Sequence, residues 1–567
     1  LAAVRDGDTA TAQQEIATAQ DHLEEADERL SGPLAAPAML VPGLAQQVDA
    51  VQVSVDEALA VSGAAADLVA TDYDSLRYNG RIDLAEIESL VPRSVSVEAT
   101  LTASTERLDE LRDGWLAPPL RDRIDEFAEE VADAQADATL ANEVLSVAPG
   151  LLGADGPRTY LVAFMTPAEL RGAGGFIGNF AELRATDGDV SLGRSGRIRE
   201  LLAARPDGAR TIEGLDEYLD RYGRFEPADN VQDASISPHW PYDAQALAQL
   251  YPQSGGSEVD AVIGIDPTGM AALLELTGPV EIEGLSVPLS AENAEDYLTR
   301  VQYLAFGDDT ERREDILDEV IRTTFDELTT AELPAPRRLG AVLGPVARGR
   351  HIHAWSPEED EQALFALMDA SGELDFAAGG DGLAVIQQNA GNNKLDAYLQ
   401  RDIDYTSSVD TDTGDVESTL TITLHNAPPD ADLPRVVDGN NRGVPRGTNL
   451  TWLNLHTPLT VTSATLDGDE IRLGEDTEAG MPVWETPLLQ VPPGGSVTLE
   501  VRLRGAIDLR EAYRLTLMPQ PVANPDQVSV RIDLTDGDLT GEHTADGAVE
   551  LDQVLDETVQ VEAGIRR

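Results

Sequence analysis

Residues 260–282 read DAVIGIDPTGMAALLELTGPVEI, and this stretch decides the class of the fold. Ala261-Val262-Ile263-Gly264-Ile265 is a short apolar run, the pattern of a strand buried on both faces. A helix around 268–276 follows, and then the short strand Val280-Glu281-Ile282. Upstream, Tyr160-Leu161-Val162-Ala163-Phe164 is a second buried-strand run. Phe176 to Thr186, the turn Asp187-Gly188-Asp189, and Val190 onward predict a hairpin. Residues 291–330 and about 357–371 are helical in pattern. Strands alternating with helices predict an α/β domain over 151–395.

The flanks differ from this centre. Residues 1–150 are rich in Ala, Glu, Asp and Gln. Ile16, Leu23 and Leu30 recur every seven residues before Gly32-Pro33 stops the helix, and further stripes carry Val48, Val51, Val55 and Leu59, then Leu101, Leu108 and Leu111, then Ile124, Phe127 and Val131. These predict a helical bundle that serves as a stalk or collar. Beyond Lys394, Val416, Ser418, Leu420, Ile422 and Leu424 alternate with polar residues, as do Val497, Leu499, Val501 and Leu503. Turn signals such as Asp467-Gly468 and Asp536-Gly537 separate such runs, so residues 396–567 predict a β-sandwich. The expected architecture is therefore multidomain α+β, in the order helical bundle, central α/β domain, sandwich.

The 567-residue chain has 40 basic and 103 acidic side chains, a formal charge of −63. A field of that sign repels phosphate backbones, which argues against a nucleic-acid partner. Lys394 is the only lysine, and an arginine-based, acid-heavy composition is that of a high-GC organism adapted to salt or alkali. No cysteine is present, which excludes disulfides, thiol catalysis and thiolate-bound zinc. Self-repulsion is screened over about 3 Å at 1 M salt but only over about 30 Å at 0.01 M. The melting temperature is therefore expected to rise as chloride goes from millimolar to molar. A flat or falling midpoint in a salt series contradicts this.

Few segments carry chemistry. Gly172-Ala173-Gly174-Gly175-Phe176-Ile177-Gly178 is not a dinucleotide fingerprint, and no P-loop lysine follows it. Glu169-Leu170-Arg171 precede it, so a glycine turn beside a guanidinium has the parts of an anion site. The plainer reading is a tight turn with a solvated arginine. Arg300, Arg312 and Arg313 form a second cluster suited to a diphosphate. They equally suit pairing with Glu311, Glu314, Asp318 and Glu319 at helical spacing, and from spacing alone that plainer reading wins. His351 and His353 have no evident third metal ligand, and Asp410 to Asp415 is a hairpin turn rather than a calcium loop.

Four strings in this order resemble the domain of unknown function 4012 family, whose members are similar to actinobacterial envelope proteins tied to surface polysaccharide. They are residues 168–178, 260–266, 274–280 and 392–396. A more distant resemblance is to the LytR–CpsA–Psr phosphotransferases, which attach glycopolymers carried on polyprenyl diphosphate to the cell wall. Ile265-Asp266, Leu273-Leu274, Thr277-Gly278-Pro279-Val280 and Arg312-Arg313 fall in that family's order. Its Arg-Ser-Asp-Thr strand is represented only by Glu169-Leu170-Arg171, and the Gln after its paired arginines is absent.

The resemblance implies an extracytoplasmic envelope protein, held to the membrane by an anchor preceding Leu1, with a phosphotransferase-like domain. Its expected partner is a polyprenyl-linked glycopolymer or cell-wall polysaccharide. Arg171, Arg312 and Arg313 would be catalytic, and Arg300, Gly174 and Gly175 would bind substrate. Asp260 or Asp266 would stand beside a magnesium ion. The competing expectation is a non-catalytic envelope scaffold, or a glycan- or protein-binding module, in which the same arginines only make salt bridges.

Overall fold

In the computed structural model, which describes residues 9–32, 41–69, 76–78, 81–112, 114–330, 336–429 and 432–567, the chain is mixed α/β, with long helices in its N-terminal part and many strands in its C-terminal part. It divides into two compact units. The first is built on residues within 1–158, 185–190 and 332–340. Its main helices are α1 (Thr9–Leu30), α2 (Pro42–Val69), α3 (Leu84–Arg112) and α4 (Pro118–Leu151). The apolar stripes face inward, with Leu101, Leu108, Ile124 and Val131 all buried. One acid is buried with them. Glu57 accepts hydrogen bonds from Ser104 Oγ at 2.7 Å and Arg107 Nη1 at 2.6 Å, so its charge is answered inside the bundle.

The second unit holds the remaining residues and contains both the central α/β region and the C-terminal sheets. A five-stranded sheet contains β1 (Arg158–Thr166), β2 (Phe176–Thr186), β3 (Asp189–Arg197), β4 (Ala261–Ile265) and β5 (Ile352–Trp355), in the order β3-β2-β1-β4-β5. β1 and β4 run parallel, with Leu161 opposite Val262, and β5 closes the edge antiparallel. Leu161, Ala163 and Met165 enter one core while Val162 and Phe164 enter another. Both faces of β1 are thus covered, which is why its apolar run lacks alternation. The predicted hairpin turn is present, with Asp187 and Gly188 both at positive φ (51° and 79°). The helical stretch predicted over 291–330 is interrupted. It comprises an unbroken helical segment over 294–306 with a wider turn at Tyr297–Val301, a break at Gly307 and a continuous helix over Thr310–Thr330.

The C-terminal strands form two eight-stranded sheets. One contains β7 (Leu399–Val409) and β8 (Asp415–Asn426), and the other contains β6 (Asp381–Asn389) and β9 (Asn449–His456). β7 alternates buried and exposed along its whole length, and its inward residues share one core with Leu383 and Val385 of β6. Asp410 to Asp415 is the turn between β7 and β8, closed by Gly414 N–H donating to Asp410 O at 2.8 Å. β6 is buried at every position. Its other face carries Ala384 and Ile386 into a cluster with Leu374, Phe376 and Met518. This strand precedes residue 396, yet it pairs with β9 and with 513–518 in the C-terminal sheets.

Candidate functional site

Two of the quoted strings, about 225 positions apart, meet in a buried knot. The backbone after β1 turns at Gly172–Gly175, where glycine is needed for close approach: a Cβ on Gly175 would lie 2.0 Å from Thr166 O, and one on Gly172 would lie 2.2 Å from Ile236 O. This turn puts Glu169 and Arg171 against the loop that follows β6. Glu169 takes Lys394 Nζ on one carboxylate oxygen and Arg171 Nη2 at 3.1 Å on the other. Arg171 also grips Asp233 at 2.7 Å. Burial alone would raise the Glu169 carboxyl, but the Lys394 and Arg171 cations more than reverse this and hold it below the usual carboxylate range. Asp396 accepts from Leu170 N–H, Gln387 Nε2, Asn389 Nδ2 and Asn449 Nδ2 at 2.7–2.9 Å, which fixes the second string to the first.

A ladder of rings and cations continues from the knot. Arg171 lies 5.8 Å from the Phe176 ring centre, and Lys394 lies 5.2 Å from the same ring. Lys394 is also 5.8 Å from Tyr303, on which Arg313 sits at 5.2 Å.

Beside the knot opens a cleft of about 290 Å³. Six of its thirteen lining residues are amides: Asn230, Gln232, Gln388, Asn389, Asn392 and Asn441. Trp452 and Phe225 supply an aromatic wall, their rings edge to face at 5.9 Å. The charged lining residues are Arg171, Asp233 and Arg442. Trp452 stands opposite Gln388 in the β6–β9 ladder, so the sheet itself sets this pair side by side. Gln388 is 5% exposed and spends its Nε2 on Ile236 O at 2.6 Å, while its buried Oε1 has no hydrogen-bond partner among the described residues. Gln232 Oε1 is in the same state.

The residues singled out from sequence do not converge on this cleft. Arg171 lines it, but its guanidinium is committed to Glu169, Asp233 and Leu170 O. Gly174 and Gly175 shape the knot and do not line the cleft; Gly174 N–H donates to Arg171 O, and a Cβ there would strike Pro521 at 2.8 Å. Arg300 is spent on Ala397 O, Ala523 O and Asn524 Oδ1. Arg313 donates to Gly307 O, and Arg312 to Glu283 O. Neither lines the cleft, and as successive residues on one helix they diverge from each other by about 100°.

Asp260 and Asp266 flank the two ends of β4. Asp260 accepts from Thr159 N–H at 2.7 Å. Asp266 is 1% exposed; it caps the helix Pro267–Thr277 through Thr268 N–H and Gly269 N–H, and its other oxygen meets His351 Nδ1 at 2.7 Å. Among the described residues no group of three or more His, Asp or Glu side chains is placed to hold a metal. His353 lies apart from His351's partner, with Nε2 on Ala173 O, and burial drives its pKa down to about 3. Gln388, Asn441, Arg442 and Trp452 escaped the sequence reading. The available signal was amides (Gln387-Gln388-Asn389) ending an apolar strand, and the polar run Asn440-Asn441-Arg442.

A family model described as "Protein of unknown function (DUF4012)" matches residues 155–303. No curated protein matches the chain. Among solved structures, native leukotriene A4 hydrolase from Saccharomyces cerevisiae aligns at 11% identity and a TM-score of 0.18, covering 30% of this chain and 27% of that one. The M1 zinc metallopeptidase from Deinococcus radiodurans aligns at 13% identity and a TM-score of 0.15, covering 30% and 39%. The chain thus spans well under half of either protein, and these alignments carry no argument about its fold or chemistry.

Proposed function

We propose that the amide-lined cleft binds saccharide and that the chain works as a non-catalytic glycan-binding module of the cell envelope. The observation that carries this reading is Gln388 beside Trp452 in a cleft that Gln232 also lines, both amides having a carbonyl oxygen with no hydrogen-bond partner among the described residues. A sugar hydroxyl donates to such an acceptor, while the neighbouring amides offer both donor and acceptor to further hydroxyls. The apolar face of a pyranose packs on an aromatic side chain. Charge favours the same reading over diphosphate transfer: the Arg171 cation is already answered by two carboxylates, and Arg300, Arg312 and Arg313 point their guanidinium groups at carbonyls elsewhere. The distant resemblance to the LytR–CpsA–Psr phosphotransferases supports a site of action outside the cytoplasm, where the module presents or holds a lipid-linked glycopolymer that another protein transfers.

Calorimetric titration with a panel of envelope-type oligosaccharides tests this. The wild-type chain should bind at least one of them, and Trp452→Ala should weaken that binding about tenfold or more, the scale of one buried aromatic contact. No heat from any oligosaccharide, or a Trp452→Ala chain that binds as well as wild type, overturns the proposal.

A further inference from the structure

We infer that the saccharide held by the cleft carries an anionic substituent, which Arg442 reads at the cleft mouth; this rests on the saccharide-binding reading above. Two of the three charged lining residues are cations, in a chain where acids outnumber bases 103 to 40. The two are not equivalent. Arg171 is neutralised by Glu169 and Asp233. Arg442 is exposed and makes no ion pair among the described residues. Its neighbour Arg446 shows the contrast, paired to Asp438 and bonded to Leu433 O.

The segment that carries Arg442 is held in shape. Arg442 N–H donates to Asn440 Oδ1 at 3.1 Å, Asn440 Nδ2 donates to Val444 O at 3.0 Å, and Gly447 N–H donates to Asp438 O at 2.9 Å. Among the described residues the guanidinium is thus an unspent planar fork on a fixed loop, beside amides that suit hydroxyls. That fork matches a carboxylate or a phosphate oxygen pair, which a neutral sugar does not offer. The chemistry shared by both sources is a saccharide bearing a fixed negative charge, a uronate or a sugar phosphate.

The test is titration at about 0.15 M salt, where the acidic field is screened within about 8 Å. The probes are trigalacturonic acid, its methyl ester, maltotriose and maltotriose phosphate, against wild type, Arg442→Gln and Trp452→Ala. In wild type, at least one acid should bind about tenfold or more tighter than its neutral counterpart, and Arg442→Gln should erase that preference while leaving the neutral sugar's affinity within about twofold. Which acid shows the preference identifies the source. If acid and neutral forms bind wild type alike, or Arg442→Gln weakens both alike, this inference fails while loss of binding in Trp452→Ala keeps the saccharide reading. If none of the four binds, this inference fails, and the saccharide reading is decided by the envelope-type panel above.

Discussion

Replacing Lys394 by methionine is expected to be the most damaging single substitution in the second unit, lowering stability by about 3–5 kcal/mol. The side chain is 11% exposed and its partner Glu169 is 3% exposed, so the lost charge is not replaced by water. Arg171 remains, but it then faces Glu169 and Asp233 together, leaving a buried excess of negative charge. Glu169→Gln in the same chain should recover much of the loss, because it removes the charge that was stranded. Lys394→Arg should not be silent. The ammonium is placed against both Phe176 and Tyr303 as well as Glu169, and a planar guanidinium is a different shape with two further donor nitrogens to satisfy. That constraint accounts for the single lysine in a chain otherwise built on arginine. Denaturant midpoints of the three variants decide the matter, and a Lys394→Met chain as stable as wild type contradicts it. The sign with pH follows from Glu169. Its folded pKa lies below the unfolded value, so its contribution is complete above about pH 4.3 and is lost as pH falls through the folded value.

Asp381→Asn should change how stability depends on pH. Asp381 is buried between the sheets, and burial raises its pKa from 3.8 to about 6, although Tyr405 and Tyr513 donate to it at 2.9 and 3.1 Å. A folded pKa above the unfolded one means that the folded state holds the proton more tightly. The associated stability is fully present below pH 3.8 and is lost as pH rises through about 6. The shift corresponds to about 3 kcal/mol. Wild type should therefore lose about that much relative to Asp381→Asn between pH 4 and pH 7.5, read as a widening gap between their calorimetric midpoints. Curves that stay parallel across this range contradict the assignment.

The sequence exposes those parts of the fold that obey a simple period. β7 and β8 each present one face to the core, so their alternation is legible residue by residue. The β1 and β4 runs are legible as strands buried on both faces. β6 is the instructive case. Covered on both sides, it shows no alternation, and the sequence reading names no strand there and leaves the segment inside the 151–395 domain, although it pairs in the C-terminal sheets. The helix over 291–330 hides its break because Gly307, at φ 54°, is a single residue inside a helical pattern.

The site was partly legible. Glu169, Arg171 and the 392–396 string stand out in the sequence, but nothing local reveals that Lys394 sits on Glu169 across the intervening chain. Arg300, Arg312 and Arg313 drew notice because they are cations in an acidic chain, yet backbone carbonyls claim them. The cleft itself is assembled from half a dozen amides scattered between residues 230 and 441, residues that look unremarkable singly and acquire meaning only where the β6–β9 ladder sets Gln388 beside Trp452.

The central claim is that this cleft receives a sugar. The most direct measurement is a crystal structure of the chain soaked in the tightest-binding oligosaccharide. The account predicts a sugar ring against Trp452, with hydroxyl donors on Gln388 Oε1 and Gln232 Oε1. A sugar bound elsewhere on the chain, with these side chains untouched, would contradict it.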